Sequence, residues 1–329
     1  MDSASAAAKP LRICVAGAAL VALSIAVQAE PPRQPACAGI DYNKKILEII
    51  RGLPGGGGYS LGSDFQLPTV TSHNIGGGRW EMRVYDGHPS HCTSAAYAVY
   101  ARLAAVLNND GRITLSPDQM HALVAKKRMP DGTPLVDGQG AFGMFNANGA
   151  GVAAFLKHTG TGMSFHDDKL KYARPGDFLK LFWNGNVGAS EQGHQVIYTG
   201  QKVVGGRDMI CFWGSQRQNR KRRAGGTEAL YFPAHDGAEV QDGYGEVCRP
   251  RGDAKAMIFS RVTCMERLAS GLEALGAKAT AAGRAPDVFT DDYLYALRET
   301  SSDQATLDRT YGIVPAPAAV ANVGRALRR

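Results

Sequence analysis

From residue 177 onward the apolar residues of this chain alternate, whereas between residues 92 and 158 they recur at helical spacing. That change of period limits the fold more than any other feature. Ala95, Ala96, Val99, Tyr100, Leu103, Ala104 and Leu107 form one helical stripe, which predicts a helix over 92–107 with Tyr97, Tyr100 and Leu103 in the core. Asn108-Asn109-Asp110-Gly111 stops it. The later runs 177–183 (DFLKLFW), 194–199 (HQVIYT), 208–213 (DMICFW) and 256–262 (AMIFSRV) read as strands. Helices followed by an antiparallel sheet make an α+β fold, with the Cys92 helix packed on the sheet.

Shorter signals complete the outline. Residues 42–51 form a helical pattern, followed by the glycine-rich loop Pro54-Gly55-Gly56-Gly57-Gly58, and 79–85 (RWEMRVY) alternates as a strand. Ser116, Pro117 and Gln119 carry a capping box that opens a helix running to about Lys127. Asn148 caps a helix over 149–158, with Gly160 past its end. A further helix covers 268–275. Residues 276–329, rich in Ala, Pro and charge with one helix around 291–300, read as a partly disordered surface appendage. The expected division is therefore 1–29, an extension over 30–78, one domain over 79–275, and 276–329.

Residues 1–29 read as an export signal. Lys9 and Arg12 flank the apolar run 13–27, which is too short for a permanent span, and Val27-Gln28-Ala29 predicts cleavage after Ala29. The alternative is an uncleaved anchor. Without the signal, net charge falls from +7 to +6, mildly basic, and no nucleic-acid motif is present. No nucleic-acid partner is expected, and no stable membrane anchor after cleavage. Export favours disulfides, and Cys37, Cys92, Cys211, Cys248 and Cys264 are an odd number, so at least one thiol stays free or pairs between chains. Two bridges and a free Cys92 fit this count; the spacing leaves the pairing open. No Cys-x-x-Cys occurs, so neither a metal nor another cofactor is expected.

Cys92 opens its helix directly after His91. A helix N-terminus lowers a thiol pKa, and a nearby imidazole completes a thiolate pair. His194 is the candidate, with Gly193 allowing a sharp turn into its strand. If strand 194–199 pairs with 208–213, residue 194 faces about residue 214 when the turn centres on Val204, or about 217 when Gly205-Gly206 form a tight turn. Both registers bring Ser215 and Gln216 beside His194, with Gln216 the first choice to orient it. The basic run from Arg217 to Arg223 follows at once and reads as a solvated loop, with contact to an anionic polymer as the alternative.

The order His91-Cys92-Thr93-Ser94, Ala173-Arg174-Pro175-Gly176-Asp177-Phe178, Gly193-His194-Gln195-Val196 and Trp213-Gly214-Ser215-Gln216 resembles the papain-like cysteine hydrolases of the NlpC type, secreted bacterial cell-wall peptidases and amidases. The resemblance covers roughly residues 80–220. It implies a papain-like fold, a Cys92–His194 pair with Gln216 or Ser215 as third member, and a peptidoglycan peptide amide as substrate. The substrate contacts expected are Tyr85, a loose match to a tyrosine upstream of the family's cysteine, His91, Glu191 and Trp213. Rival readings are a transglutaminase-like acyl transferase with Asp208 as its acid, and a wall-binding module that lost catalysis. The permuted lipid acyltransferases place histidine before cysteine, the reverse of the order here.

Overall fold

Helical and alternating segments separate in space as they do along the chain, into helices stacked on one face of a mostly antiparallel sheet. The computed structural model describes residues 37, 39–61, 64–128, 134–147, 149–185, 193–217, 242–281, 308 and 312–315. The expected signal at 1–29, the Asn148 cap, Glu191, the basic residues 218–223 and the helix at 291–300 lie outside the described residues.

The chain opens with α1 (Tyr42–Arg51), β1 (Gly56–Gly57), the hairpin β2 (Thr69–Gly76) and β3 (Arg79–Tyr85), and the long α2 (Cys92–Asn109). Then come α3 (Pro117–Ala122), β4 (Lys126–Arg128), β5 (Pro134–Gln139), α4 (Gly140–Phe145), α5 (Val152–Thr159) and β6 (Gly162–His166). The strands β7 (Phe178–Phe182), β8 (His194–Val204), β9 (Arg207–Gln216), β10 (Gly243–Pro250) and β11 (Ala256–Val262) follow, then α6 (Leu268–Ala281) and β12 (Val314–Pro315). Eight strands form one sheet in the order β1-β10-β9-β8-β7-β11-β6-β12, antiparallel throughout except for β12 on β6. Its centre, β7 to β10, is an antiparallel meander.

α2 is buried on nearly every side, because its alanines let sheet and helices approach closely from several directions. Tyr97 and Tyr100 are fully buried, and each hydroxyl finds an acceptor: Tyr97 donates to Leu123 O at 2.7 Å and Tyr100 to Thr161 Oγ1 at 3.2 Å. On the helix-facing side of the sheet, Phe178, Phe182, Ile197, Trp213 and Ile258 join this core. On the other face Leu179, Leu181, Val196, Tyr198, Phe212 and Phe259 pack under the 167–173 loop.

Several boundaries move. The capping box of α3 forms as expected, but the helix stops at Ala122, where backbone groups from Lys126 onward pair with β5 instead. α5 begins at Val152, with Gly151 as its N-cap, three residues after the expected start. α4 (GAFGMF) carries two glycines that weaken its helical signal; it forms because Phe142 and Phe145 pack edge-on against Tyr97 at 5.4 and 5.3 Å. The described part of 30–78 does not stand apart. β2 pairs with β3 across the expected boundary, and Tyr42, Ile46 and Ile50 of α1 are buried in the main core. α6 runs to Ala281, and Val314–Pro315 adds the last strand of the sheet.

Two bridges form among the described cysteines, Cys37–Cys264 and Cys211–Cys248, and Cys92 is free. No described helix is long and apolar enough to cross a membrane.

Candidate active site

Cys92 is the first residue of α2. Its N-cap is His91, whose extended backbone places the ring so that Nδ1 accepts from the Ser94 backbone N–H at 3.0 Å. This cap leaves the Cys92 and Thr93 N–H groups pointing out of the helix end, where the peptide dipoles favour negative charge. The Cys92 side chain is half-buried, with Thr93 Oγ1 at 3.8 Å from Sγ. Burial alone pushes the thiol up. Hydrogen bonding and charge from His194, and after it from His91, outweigh burial and hold the thiol well below its usual range.

His194 opens β8. Gly193 before it has φ +81°, and a Cβ there would lie 2.7 Å from Phe182 Cε1 and 2.8 Å from Lys180 Cε, so only glycine brings the chain into the strand at this place. β7 supplies Leu181 as one lateral neighbour of His194. The other neighbour follows from the β8–β9 hairpin. Gly205 and Gly206, with φ +56° and +75°, form the two-residue turn, and Val204 pairs with Arg207. One extra residue, Thr199, bulges between the Tyr198–Phe212 and Gly200–Cys211 pairs. Beyond the bulge Ile197 pairs with Trp213, and Gly214 lies against Val196, where a Cβ on the glycine would be 3.1 Å from Val196 Cγ1. Continued to the strand end, this register sets Gln216 opposite His194. The His194 ring also packs edge-on against Phe212, centroids 5.9 Å apart.

The two third-member candidates then differ in their bonds. Ser215 is fully buried, accepts from Ser90 Oγ at 2.7 Å and donates to Ser90 O at 3.2 Å, so it anchors the loop before Cys92. Gln216 donates its amide Nε2 to Gly245 O on β10 at 3.1 Å. That fixes the side chain and leaves the amide oxygen as its acceptor, the polarity an imidazole N–H requires.

The loop 87–91 rests on segments whose role is hard to read from sequence. Ser90 N–H donates to Gly58 O and Ser60 N–H to Ser90 O, so the glycine-rich loop backs the loop before Cys92. Tyr244 of β10 hydrogen-bonds Ser90, donates to Asp86 at 3.4 Å, and packs on His88 and Trp213 at 4.8 and 5.1 Å. Arg102 of α2 holds the other Asp86 oxygen at 2.8 Å. Tyr244, Asp86 and His88 therefore build the site, although the glycines flanking Tyr244 hide its strand.

The other expected substrate contacts are placed as follows. Tyr85 is half exposed, and the contact recorded for its side chain is with Arg83. Trp213 is buried between α2 and the sheet, beneath the site rather than at its mouth. His91 is buried and belongs to the helix cap and the thiol. Asp208 pairs with Val203 beside the hairpin turn and bridges Arg251 at 3.3 Å. It lies about 27 Å along β9 from Gln216, at the end away from His194. The groove of about 510 Å³ lined by Arg207, Asp208, Arg251 and Lys255 lies at that far end too. One metal-like group is present among the described residues, Cys211, Glu246 and Cys248, with donor atoms within 4.8 Å of one another, but its two sulfurs are joined in a disulfide.

A comparison with known protein families, curated proteins and solved structures finds no match for this chain.

Proposed function

We propose that the chain is an exported thiol hydrolase of papain-like architecture, an amidase or endopeptidase whose substrate is a peptide amide of peptidoglycan. The observation that carries the chemistry is a free thiol at a helix N-terminus, its pKa lowered by an imidazole from the adjacent sheet, while the other described cysteines are bridged. The substrate class rests on the sequence resemblance and the export signal.

In this reading the Cys92 thiolate attacks the amide carbonyl carbon, and the backbone N–H of Cys92 receives the developing oxyanion. The C–N bond breaks as His194 passes its proton to the departing amine. His194 then takes a proton from water, the hydroxyl adds to the acyl carbon, and Cys92 leaves as a thiolate while the product departs as a carboxylic acid. Gln216 orients the imidazole through its amide oxygen.

The transglutaminase reading loses its acid, since Asp208 lies at the wrong end of the hairpin. The test is alkylation of Cys92 by iodoacetamide against pH, with His194→Ala alongside, followed by digestion of purified peptidoglycan. A depressed thiol stays reactive as pH falls below the ordinary thiol pKa of about 8.5 and loses reactivity only when pH falls through its own folded value. His194→Ala returns the profile towards that ordinary value, and Cys92→Ala abolishes hydrolysis. An inert Cys92 at neutral pH sinks the reading and leaves a wall-binding module.

A further inference from the structure

We propose that Arg217, seated on the ring of Tyr59, is an anion-binding residue beside the active site and takes a carboxylate that the substrate carries next to its scissile amide. The inference rests on the thiol-hydrolase reading and deepens it by naming a charge on the substrate. Arg217 directly follows Gln216, the last residue of β9. Side chains alternate along a strand, so one residue further on Arg217 lies on the face of Ser215, whose Oγ meets Ser90 Oγ at 2.7 Å. Tyr59 lies beside the same serine, joined to it by a parallel bridge. The guanidinium carbon of Arg217 is 5.8 Å from the centre of the Tyr59 ring. Two segments far apart in sequence, the end of β9 and the loop after β1, thus meet next to a residue two before Cys92.

The tyrosine is a fixed support. Backbone bonds hold its segment on both sides: Ser90 N–H donates to Gly58 O at 3.2 Å, Ser60 N–H to Ser90 O at 3.0 Å, and Gly58 N–H to Asp242 O at 2.8 Å. Further along, Gln66 N–H donates to Pro89 O at 2.7 Å, and the Phe65 ring packs on His91 with centroids 4.3 Å apart. The described residues between 58 and 66 therefore line the loop that presents Cys92, and Tyr59 is the half-buried ring among them.

Stacking engages the flat face of a guanidinium and leaves its N–H groups at the edge, where they donate in the plane as a fork. A carboxylate matches that fork with two oxygens. Arg217 is exposed, and no ion pair joins it to a carboxylate among the described residues. The acids of the adjoining segments have other partners: Asp64 accepts from the Ser60 hydroxyl, and Asp86 from Arg102 and Tyr244. The ring holds the long side chain in place before an anion arrives, so less freedom is lost on binding. A lysine would keep the charge and lose both the fork and the flat contact.

The experiment alkylates Cys92 at pH 7 and low salt with two probes of one shape. N-bromoacetyl-alanine carries a free carboxylate beside its amide, and N-bromoacetyl-alaninamide carries none. The ratio of the two rates, acid over amide, is read by intact mass in the wild type, Arg217→Gln, Arg217→Lys and Tyr59→Leu, with melting temperature recorded for each. The expected ratio is about fivefold lower in Arg217→Gln than in the wild type, as for an exposed charge pair of good geometry, with no change in melting temperature. Arg217→Lys falls less, Tyr59→Leu falls as the guanidinium loses its support, and the wild-type ratio drops as salt rises. Equal ratios in the wild type and Arg217→Gln overturn the inference, and so does an unchanged ratio in Tyr59→Leu, since the proposed seat is the pair. A wild-type thiol that reacts with neither probe instead sinks the hydrolase reading. The seat is then read without the thiol, from the Tyr59 ring resonances of ¹³C-tyrosine-labelled protein titrated with N-acetyl-alanine and with N-acetyl-alaninamide. A shift produced by the acid alone and removed by Arg217→Gln upholds the anion seat; the absence of such a shift refutes it.

Discussion

Gln216 and Ser215 are neighbours in sequence, yet they make different hydrogen bonds, and the proposed difference in their tasks can be measured. Gln216→Ala leaves the fold intact, since only one amide hydrogen bond to Gly245 O is lost, and removes the amide oxygen proposed to orient His194. We expect the hydrolysis rate to fall by up to about 100-fold with little change in melting temperature, the signature of a misaligned catalytic group. Ser215→Ala removes the acceptor of the buried Ser90 hydroxyl and leaves Tyr244 as its other partner. It should cost about 1–3 kcal/mol of stability, read from urea unfolding, with the smaller effect on rate. If the two profiles are exchanged, Ser215 is the orienting residue. Both residues were legible as candidates because Gly205-Gly206 marks the turn. The sequence favours Gln216 over Ser215 without fixing the register, because a tight turn alone sets His194 opposite residue 217. The extra residue Thr199 moves the pairing to Gln216; Gly200 beside it is the one local hint of a bulge in HQVIYTGQKVV, and it does not say which way the register shifts.

Among the elements, the segment Arg174-Pro175-Gly176-Asp177 is distinctive in sequence and structural in role. The Asp177 carboxylate is fully buried and accepts from Arg261 Nε at 2.8 Å, from Arg261 Nη2 at 2.7 Å, from Asn43 Nδ2 at 2.8 Å and from the Arg174 backbone N–H at 2.8 Å. One side chain thus fastens the turn before β7 to α1 and β11. Removing it strands the Arg261 guanidinium. Asp177→Ala should cost about 3–5 kcal/mol in urea unfolding, while thiol alkylation of the protein that remains folded keeps its low-pH profile. A loss of that profile at full foldedness would mean that Asp177 acts on the site directly. The elements that sequence reading found, α1, β3, α2, α3, α5, β7, β8, β9, β11 and α6, carry an unbroken apolar period or a capping signal. The missed ones have interrupted periods. β10 (GYGEVCRP) mixes glycine, proline and charge because it is held by β9 on one side, by β1 on the other and by a disulfide. β2 (TVTSHNIG) leaves most of its residues exposed, so few apolar positions are required of it.

At the scale of the whole molecule, the segments flanking the expected domain help to hold it together. The Cys37–Cys264 bridge spans 227 residues and ties the start of the described chain to the strand-to-helix junction before α6. His166 of β6 meets Asp308 at 2.7 Å just before β12 joins the same strand. In the chain-entropy account, closing a loop of that length removes about 5 kcal/mol of unfolded-state freedom, and the Cys211–Cys248 loop about 4 kcal/mol. The double variant Cys37→Ser, Cys264→Ser should therefore lose more stability in urea than Cys211→Ser, Cys248→Ser, although the second bridge lies nearer the site. The reverse order would mean that the long loop is already constrained in the unfolded chain, or that Cys211–Cys248 relieves some other cost. The same cysteines test the expected export. Unfolded without reductant, a chain cleaved after Ala29 exposes one titratable thiol, Cys92, whereas an uncleaved chain exposes Cys14 as well. A single thiol per chain, blocked completely by prior alkylation of the native protein at pH 6, would tie three properties to one residue: processing, oxidation of the other four cysteines, and a thiolate at the helix end. Two thiols, or one that resists alkylation until the chain unfolds, would separate them.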